Sequence, residues 1–235
     1  MGQTRNSDAD DRRVFKVDSI TLGYDKNNNS FTMVTIYHSP LSRSVRVLWL
    51  VEEIGLAYRL ETIEMFSAEM QRPEFLAVHP QGKVPAIDDD GFILWETSAI
   101  FDYLITKYSD GSLIPPRDTA SGAKAVQWMT FAEGALAVTM GEIAAHSAYL
   151  PASRRISALV DRGHELAPQL IAIVEKALTD QEYILGEKFT AADIMLAFAL
   201  NIAQHLDFVN ESTPNCLNYC QRLEQRPAYI RAREQ

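Results

Sequence analysis

Two domains in tandem are predicted by this sequence, an α/β unit of ordinary domain size and then an all-helical one. Three observations carry that expectation. A β-branched and aromatic run, Val34-Thr35-Ile36-Tyr37, passes through Ser39-Pro40 into a helical pattern. Two short strand patterns, Val84 to Asp88 and Phe92 to Trp95, flank Asp89-Asp90-Gly91, a tight-hairpin signal of the Asp-Gly type. From Ala120 onward no strand pattern survives, and apolar residues recur only at helical spacing.

Within the first unit the helix opens at Ser42, Arg43 or Ser44. Its apolar residues make two faces, Val45, Leu48 and Trp49 on one and Val47, Leu50, Val51 and Ile54 on the other, so it is expected to be covered on both sides. Tyr58 to Ile63 reads as a second strand, and Ser67 to Val78 as a short helix interrupted by Pro73. After the hairpin, Thr97 to Tyr108 forms a helix with Ile100, Phe101, Leu104 and Ile105 on one side. This βαβα-then-ββα order occupies residues 33–109. Asp110-Gly111 and Pro115-Pro116 mark residues 110–119 as a linker.

The helical domain, residues 120–235, is expected to hold two long helices, Ala120 to His146 and Ala152 to Leu178. Pro151 and Pro168 should break or bend them. Further helices begin at Thr190 and near Thr213. Thr190 is a candidate N-cap, with Asp193 as the short acid of a capping box and Phe189 and Ile194 as its staple. Such a cap contributes about 1 kcal/mol and reads as a folding device.

The composition, 47% hydrophobic and 23% charged over 235 residues, suits a globular protein with a substantial core. A net charge of -9 argues against general affinity for nucleic acid or an anionic membrane. No apolar run reaches the roughly eighteen residues that a membrane span needs. Residues 1–32 are polar, lack the apolar core of a secretory signal, and read as a disordered leader. The first strand pattern follows Met33 directly, which raises Met33 as the initiating residue. A peptide covering residues 20–32 in the mass spectrum of the native protein would sink that idea. Cys216 and Cys220, the only cysteines, make no disulfide framework and suit packing in a reducing cytoplasm.

Function is sought at the mouth of the first helix. Serines at 39, 42 and 44 sit where unpaired backbone N–H groups and the positive end of the helix dipole converge. Such an end favours an anion, and a thiolate is one.

Six pieces in order, SRSVRVLWLVEEIGL from Ser42, HPQGKVPAI from His79, ETSAI from Glu96, WMTFAEG from Trp128, FTAADI from Phe189 and RPAYIRA from Arg226, resemble the cytosolic glutathione transferases. The likeness is to the bacterial and fungal type with a serine-containing first motif, and it runs from residue 33 to 232. It implies an α/β thioredoxin-like N-terminal domain that binds glutathione, an all-α C-terminal domain, and a homodimer. Glutathione would be a co-substrate, with no metal.

The resemblance also implies roles. Val84-Pro85 matches the family's cis peptide bond, which would leave the Val84 backbone free to pair with the cysteinyl segment of glutathione. Glu96 and Thr97 match the Glu–Ser pair that holds the γ-glutamyl end, with threonine in place of serine. Lys83 and Gln81 would meet the glycyl carboxylate. Ser42 matches the hydroxyl that donates to the sulfur; Tyr37, Ser44 and a purely capping Ser42 stand as alternatives. Lowering a thiol pKa from about 8.5 by two units takes about 3 kcal/mol, within reach of one hydroxyl plus a helix N-terminus.

Other polar residues are expected to do less. The five histidines show no metal-ligand spacing. Asp88-Asp89-Asp90 reads as a solvated turn. Trp128, Met129, Phe131 and Met140 read as core or as the wall of an apolar second-substrate site. The implied activity is conjugation of the glutathione thiolate to small apolar electrophiles. Alternatives are a glutathione-dependent peroxidase, isomerase or lyase, and a non-catalytic binding or regulatory protein on the same fold.

Overall fold

A computed structural model describes residues 33–235 in full and, at residues 15–17, 20–25 and 30–32, backbone strands alone. Strand β1 spans Phe15–Val17, β2 Ile20–Asp25, β3 Ser30–His38, β4 Ala57–Thr62, β5 Ala86–Asp89 and β6 Phe92–Trp95. The sheet order is β1-β2-β4-β3-β5-β6. β3 and β4 run parallel, while β3–β5 and β5–β6 are antiparallel.

Of residues 1–32, read from the sequence as a disordered leader, residues 15–17, 20–25 and 30–32 are backbone strands. β1 and β2 pair with each other, and β2 continues onto β4 and onto the start of β3. Phe15, Val17, Ile20, Thr21 and Tyr24 are residue types that fit a pleated surface. β3 also opens at Ser30, ahead of Met33. The rest of that stretch, residues 1–14, 18–19 and 26–29, lies outside the described residues.

Helix α1, Val45–Ile54, crosses from β3 to β4. Both of its apolar faces are covered, with Val47, Leu48, Trp49, Leu50 and Val51 all buried. Gly55 ends it in the left-handed conformation, φ 71°, its N–H bonded to the Val51 carbonyl. The segment to β5 is a 3₁₀ turn, Ala68–Gln71, followed by helix α2, Pro73–Val78, so Pro73 starts a helix rather than interrupting one. Helix α3, Thr97–Tyr108, follows β6 and packs beside α1. A smaller core of Met70, Phe75, Val78, Val84 and Ala86 involves α2.

The helical part begins with α4, Ala120–Phe131, which runs through a π-helical segment, Ala132–Leu136, into α5, Ala137–Ala144. A second π segment, Ala145–Tyr149, ends that rod. Helix α6, Ser157–Ala177, contains Pro168 without a break. Pro168 is exposed, so the carbonyl that loses its partner can turn to water, and the helix continues where a break or bend was expected. Helices α7 (Ala191–His205), α8 (Pro214–Glu224) and α9 (Pro227–Arg233) complete the chain. The capping box at Thr190 and Asp193 is present, and Asp193 also accepts from the Ile184 N–H at 2.9 Å and the Tyr219 hydroxyl at 2.7 Å.

Candidate functional site

Strand register brings the motifs together. The last paired residues are Tyr37 with Ala86 and Ala86 with Trp95, so the C-terminal ends of β3 and β6 lie beside the N-terminal end of β5. Ser39 to Ser44, Val84-Pro85 and Glu96-Thr97 therefore leave the sheet at one edge. The N-termini of α1 and α3 open there, with the positive ends of their dipoles. At α1 the first amides are already taken, the Ser44 N–H by Ser42 Oγ at 3.1 Å, the Val45 N–H by the Ser42 carbonyl at 3.2 Å and the Arg46 N–H by the Arg43 carbonyl at 3.3 Å.

The turn into α1 is Ser39-Pro40-Leu41-Ser42, closed by the Ser42 N–H on the Ser39 carbonyl at 3.2 Å. Leu41 has φ 61° and is 74% exposed, with proline before it. That is the pattern of a type II turn with leucine where glycine is usual. A strained residue of this kind costs about 1–3 kcal/mol and tends to occur where a side chain must be aimed. The next residue is Ser42, whose Oγ lies 2.6 Å from the Ser44 Oγ and accepts from the Ser44 N–H at 3.1 Å. Ser44 is fully buried, and its Oγ lies 2.8 Å from the Nδ1 of a fully buried His38.

Tyr37 takes a different place. Side chains alternate along β3, and Tyr37 packs into the α2-side core with its ring 5.8 Å from that of Phe75. Burial, then Asp88 and Glu61, push its hydroxyl pKa upward.

At the other end of the site, Val84-Pro85 is a cis peptide, as expected. Lys83 and Gln81 are exposed. His79, nearly buried, holds their loop: its Nδ1 accepts from the Gln81 N–H at 3.2 Å and its carbonyl from the Gly82 N–H at 2.8 Å. Burial lowers the His79 pKa, opposed by Glu96 and assisted by Lys83, which places both charges near this imidazole.

Glu96 is exposed and sits at the N-cap of α3 with φ 73°. Thr97 is buried, and its Oγ1 accepts from an Arg46 Nη at 3.3 Å. The threonine oxygen is thus occupied while its O–H remains available as a donor. Arg46 is 1% exposed; it also pairs with Glu133 and lies 4.7 Å from the ring centroid of Phe198. Burial lowers the Arg46 pKa, and Glu133 raises it. Arg43 pairs with the same carboxylate.

Sequence reasoning missed His38, His79 and Glu133 as parts of this region. A single histidine after a strand or an acid in a helical pattern carries no signal of its tertiary partners. The absence of any break in WMTFAEG was equally silent about the π segment that carries Glu133. The acidic run was misread too: Asp89 is buried and accepts from Lys107, Tyr103 and Tyr108 at 2.6–2.9 Å. Cys216 and Cys220 are free and buried, with burial raising both thiol pKa values, that of Cys220 to about 12. Among the described residues, no group of three or more His, Cys, Asp or Glu side chains is arranged to hold a metal. No described helix is long and apolar enough to cross a membrane.

Comparison with known proteins agrees with this architecture. The profile for the glutathione S-transferase N-terminal domain matches residues 32–106, and that for the C-terminal domain matches residues 139–227. This chain belongs to the glutathione S-transferase family. It is 27% identical to glutathione S-transferase 1 of Schizosaccharomyces pombe, covering 84% of this chain and 93% of that protein. It is 28% identical to the disulfide-bond oxidoreductase YfcG of Escherichia coli, covering 83% and 92%. The structure of a glutathione transferase family member from Pseudomonas fluorescens, with two glutathione bound, superposes with a TM-score of 0.77 at 27% identity, covering 86% and 92%. Family membership supports glutathione-dependent transferase chemistry in the broad sense.

Proposed function

We propose that this chain is an enzyme that binds glutathione along the edge formed by Val84-Pro85, Glu96 and Thr97, ionises its thiol at Ser42, and transfers it to small apolar electrophiles. The sulfur lone pair attacks the electrophilic carbon, the leaving group departs with its bonding pair, and the thiol proton goes to solvent. Glu96 would take the α-amino group and Thr97 the γ-glutamyl carboxylate. Lys83 and Gln81 would take the glycyl carboxylate. The observation that carries the reading is the division between the two hydroxyls: Ser42 stands at the α1 N-terminus, whereas Tyr37 packs against Phe75 with a raised pKa. A donor to a thiolate is most useful in the field of a helix N-terminus.

The test compares Ser42→Ala with Tyr37→Phe in turnover of a chloronitrobenzene and in the thiolate absorbance of bound glutathione. Ser42→Ala is expected to lower kcat/KM by about 10²-fold, the scale of one lost donor to a developing anion. Tyr37→Phe should stay within about threefold. The reverse order would return the donor to Tyr37, and loss in neither would point to Ser44 or to the helix alone.

The likeness to a disulfide-bond oxidoreductase favours a second reading, thiolate attack on a disulfide sulfur. Both cysteines of the chain are buried in α8, so a bound glutathione would be the only thiol in such a site. Turnover of a glutathionyl mixed disulfide exceeding that of the chloronitrobenzene would favour it.

A homodimer in the cytoplasm belongs to the same proposal. Exposed Phe92, Ile93 and Trp95 on the edge strand β6 suit an interface, and sedimentation of the purified protein tests it.

A further inference from the structure

Resting on the reading of Ser42 as the sulfur's donor, we propose that His38 and Ser44 are positioning residues: a hydrogen-bond relay from His38 through Ser44 fills both acceptor sites of the Ser42 oxygen and leaves its proton directed at the ligand. The argument is a count of donors and lone pairs. Ser42 Oγ accepts from the Ser44 N–H at 3.1 Å and has Ser44 Oγ at 2.6 Å. Ser44 Oγ accepts from the Ser39 N–H at 3.1 Å and has His38 Nδ1 at 2.8 Å. The Ser39 carbonyl is a further acceptor for the Ser44 proton, at the longer distance of 3.3 Å.

Two proton arrangements satisfy these distances. In the first, His38 Nδ1–H donates to Ser44. Both lone pairs of Ser44 are then taken, and its proton goes to Ser42 along the short 2.6 Å contact. Ser42 now accepts twice, and its own O–H has no remaining partner among the described residues. In the second, Ser44 donates to His38 Nδ1, Ser42 donates to Ser44, and the proton needed by the sulfur is turned inward.

The surroundings of His38 decide between them. Its Nε2 is buried without a hydrogen-bond partner among the described residues. In the first arrangement that atom is an unpaired acceptor, and in the second it is an unpaired N–H. Orphaned buried N–H groups are the rarer of the two. A thiolate adds to the preference, because an O–H donating to an anion is a charge-assisted bond. Burial lowers the His38 pKa to about 4, so near neutral pH the imidazole carries one proton and cannot donate from both nitrogens.

The experiment measures the pKa of bound glutathione by thiolate absorbance for the native protein, Ser44→Ala, His38→Gln, His38→Asn and Ser42→Ala. Affinity for S-methylglutathione, which has no thiol proton, is measured in parallel. An asparagine amide can replace the Nδ1 donor, whereas a glutamine amide reaches the Nε2 position. Ser44→Ala and His38→Gln are expected to raise the bound thiol pKa by about one unit, a tenfold loss of thiolate at pH values below it. His38→Asn should recover most of the shift, with S-methylglutathione affinity changing less than about threefold throughout. Unchanged thiol pKa in Ser44→Ala, or equal behaviour of the asparagine and glutamine variants, overturns the relay. If Ser42→Ala raises the pKa and Ser44→Ala does not, only the relay fails. If Ser42→Ala leaves it unchanged, the reading of Ser42 fails and the relay with it. Should the His38 variants not fold, Ser44→Ala decides alone.

Discussion

Gly82 shows how much one residue can constrain the site. Its φ of 58° is a left-handed conformation, and an added Cβ would fall against the Met70 carbonyl. Gly82→Ala is therefore expected to cost about 2 kcal/mol or more in urea unfolding, from left-handed strain and the clash together. It should weaken glutathione binding as well, because the loop holding Lys83 and Val84 turns there. Stability within about 0.5 kcal/mol of the native protein would show that the backbone shifts freely. His38 makes a second prediction at this scale. Its folded pKa, about 4, lies below the ordinary value near 6.5, so in that window the unfolded chain binds a proton that the native chain refuses. Stability should rise with pH through the window and be lost as pH falls, by on the order of 3 kcal/mol at most. Urea titrations between pH 7 and pH 4 should give a shallower slope for His38→Asn than for the native protein. Equal slopes would assign the acid sensitivity elsewhere. Neither the charge state of His38 nor its link to Ser44 was legible in the sequence, since both depend on what β3 is packed beneath.

Among the elements, α1 was the most legible and the rod α4–α5 the least. Val45 to Ile54 announces a helix covered on two sides. Thr97 to Tyr108 and the Asp-Gly hairpin were equally plain, because period and turn chemistry are local properties. The π segment Ala132–Leu136 is not local in this sense. Its residues suit an ordinary helix, and Glu133, set within the widened turn, pairs across the domains with Arg43 and Arg46. Arg46 is almost wholly buried, so Glu133 supplies its countercharge where water does not. Removing one partner of such a pair leaves an uncompensated charge, at a cost of roughly 3–5 kcal/mol. Glu133→Gln should lose about that much in urea unfolding. Arg46→Met with Glu133→Gln should be less destabilised than Glu133→Gln alone, because the stranded charge is gone. A double variant worse than either single one would mean that Arg46 is held mainly by Thr97 and Phe198 rather than by Glu133.

At the level of the whole molecule the two domains share one buried core. A single buried cluster runs from Val34 and Ile36 in the sheet through Trp49 in α1 to Leu196 in α7 and Leu223 in α8. Sequence patterning separates an α/β unit from a helical one, yet it cannot show this continuity, because the shared core is made by contacts between distant segments. The join is also polar. Glu53 accepts from Arg226 through two bonds, at 2.7 and 2.8 Å, and from the Trp49 indole at 2.8 Å. The Arg226 guanidinium carbon lies 3.6 Å from the Phe189 ring centroid. Glu53 raises the Arg226 pKa, the sign expected of a charge held by its partner. Arg226→Ala removes a bidentate, partly buried pair and the packing of its stem on Phe189, and about 2–3 kcal/mol of stability should go with them. Because the apolar core remains continuous, the loss should move one transition rather than divide it. Tryptophan fluorescence and far-ultraviolet circular dichroism should then report the same lowered midpoint in urea, with an unchanged dependence on denaturant concentration. Separate midpoints for the two signals would show that Arg226 and Glu53, and not the shared core, hold the domains to a common unfolding step.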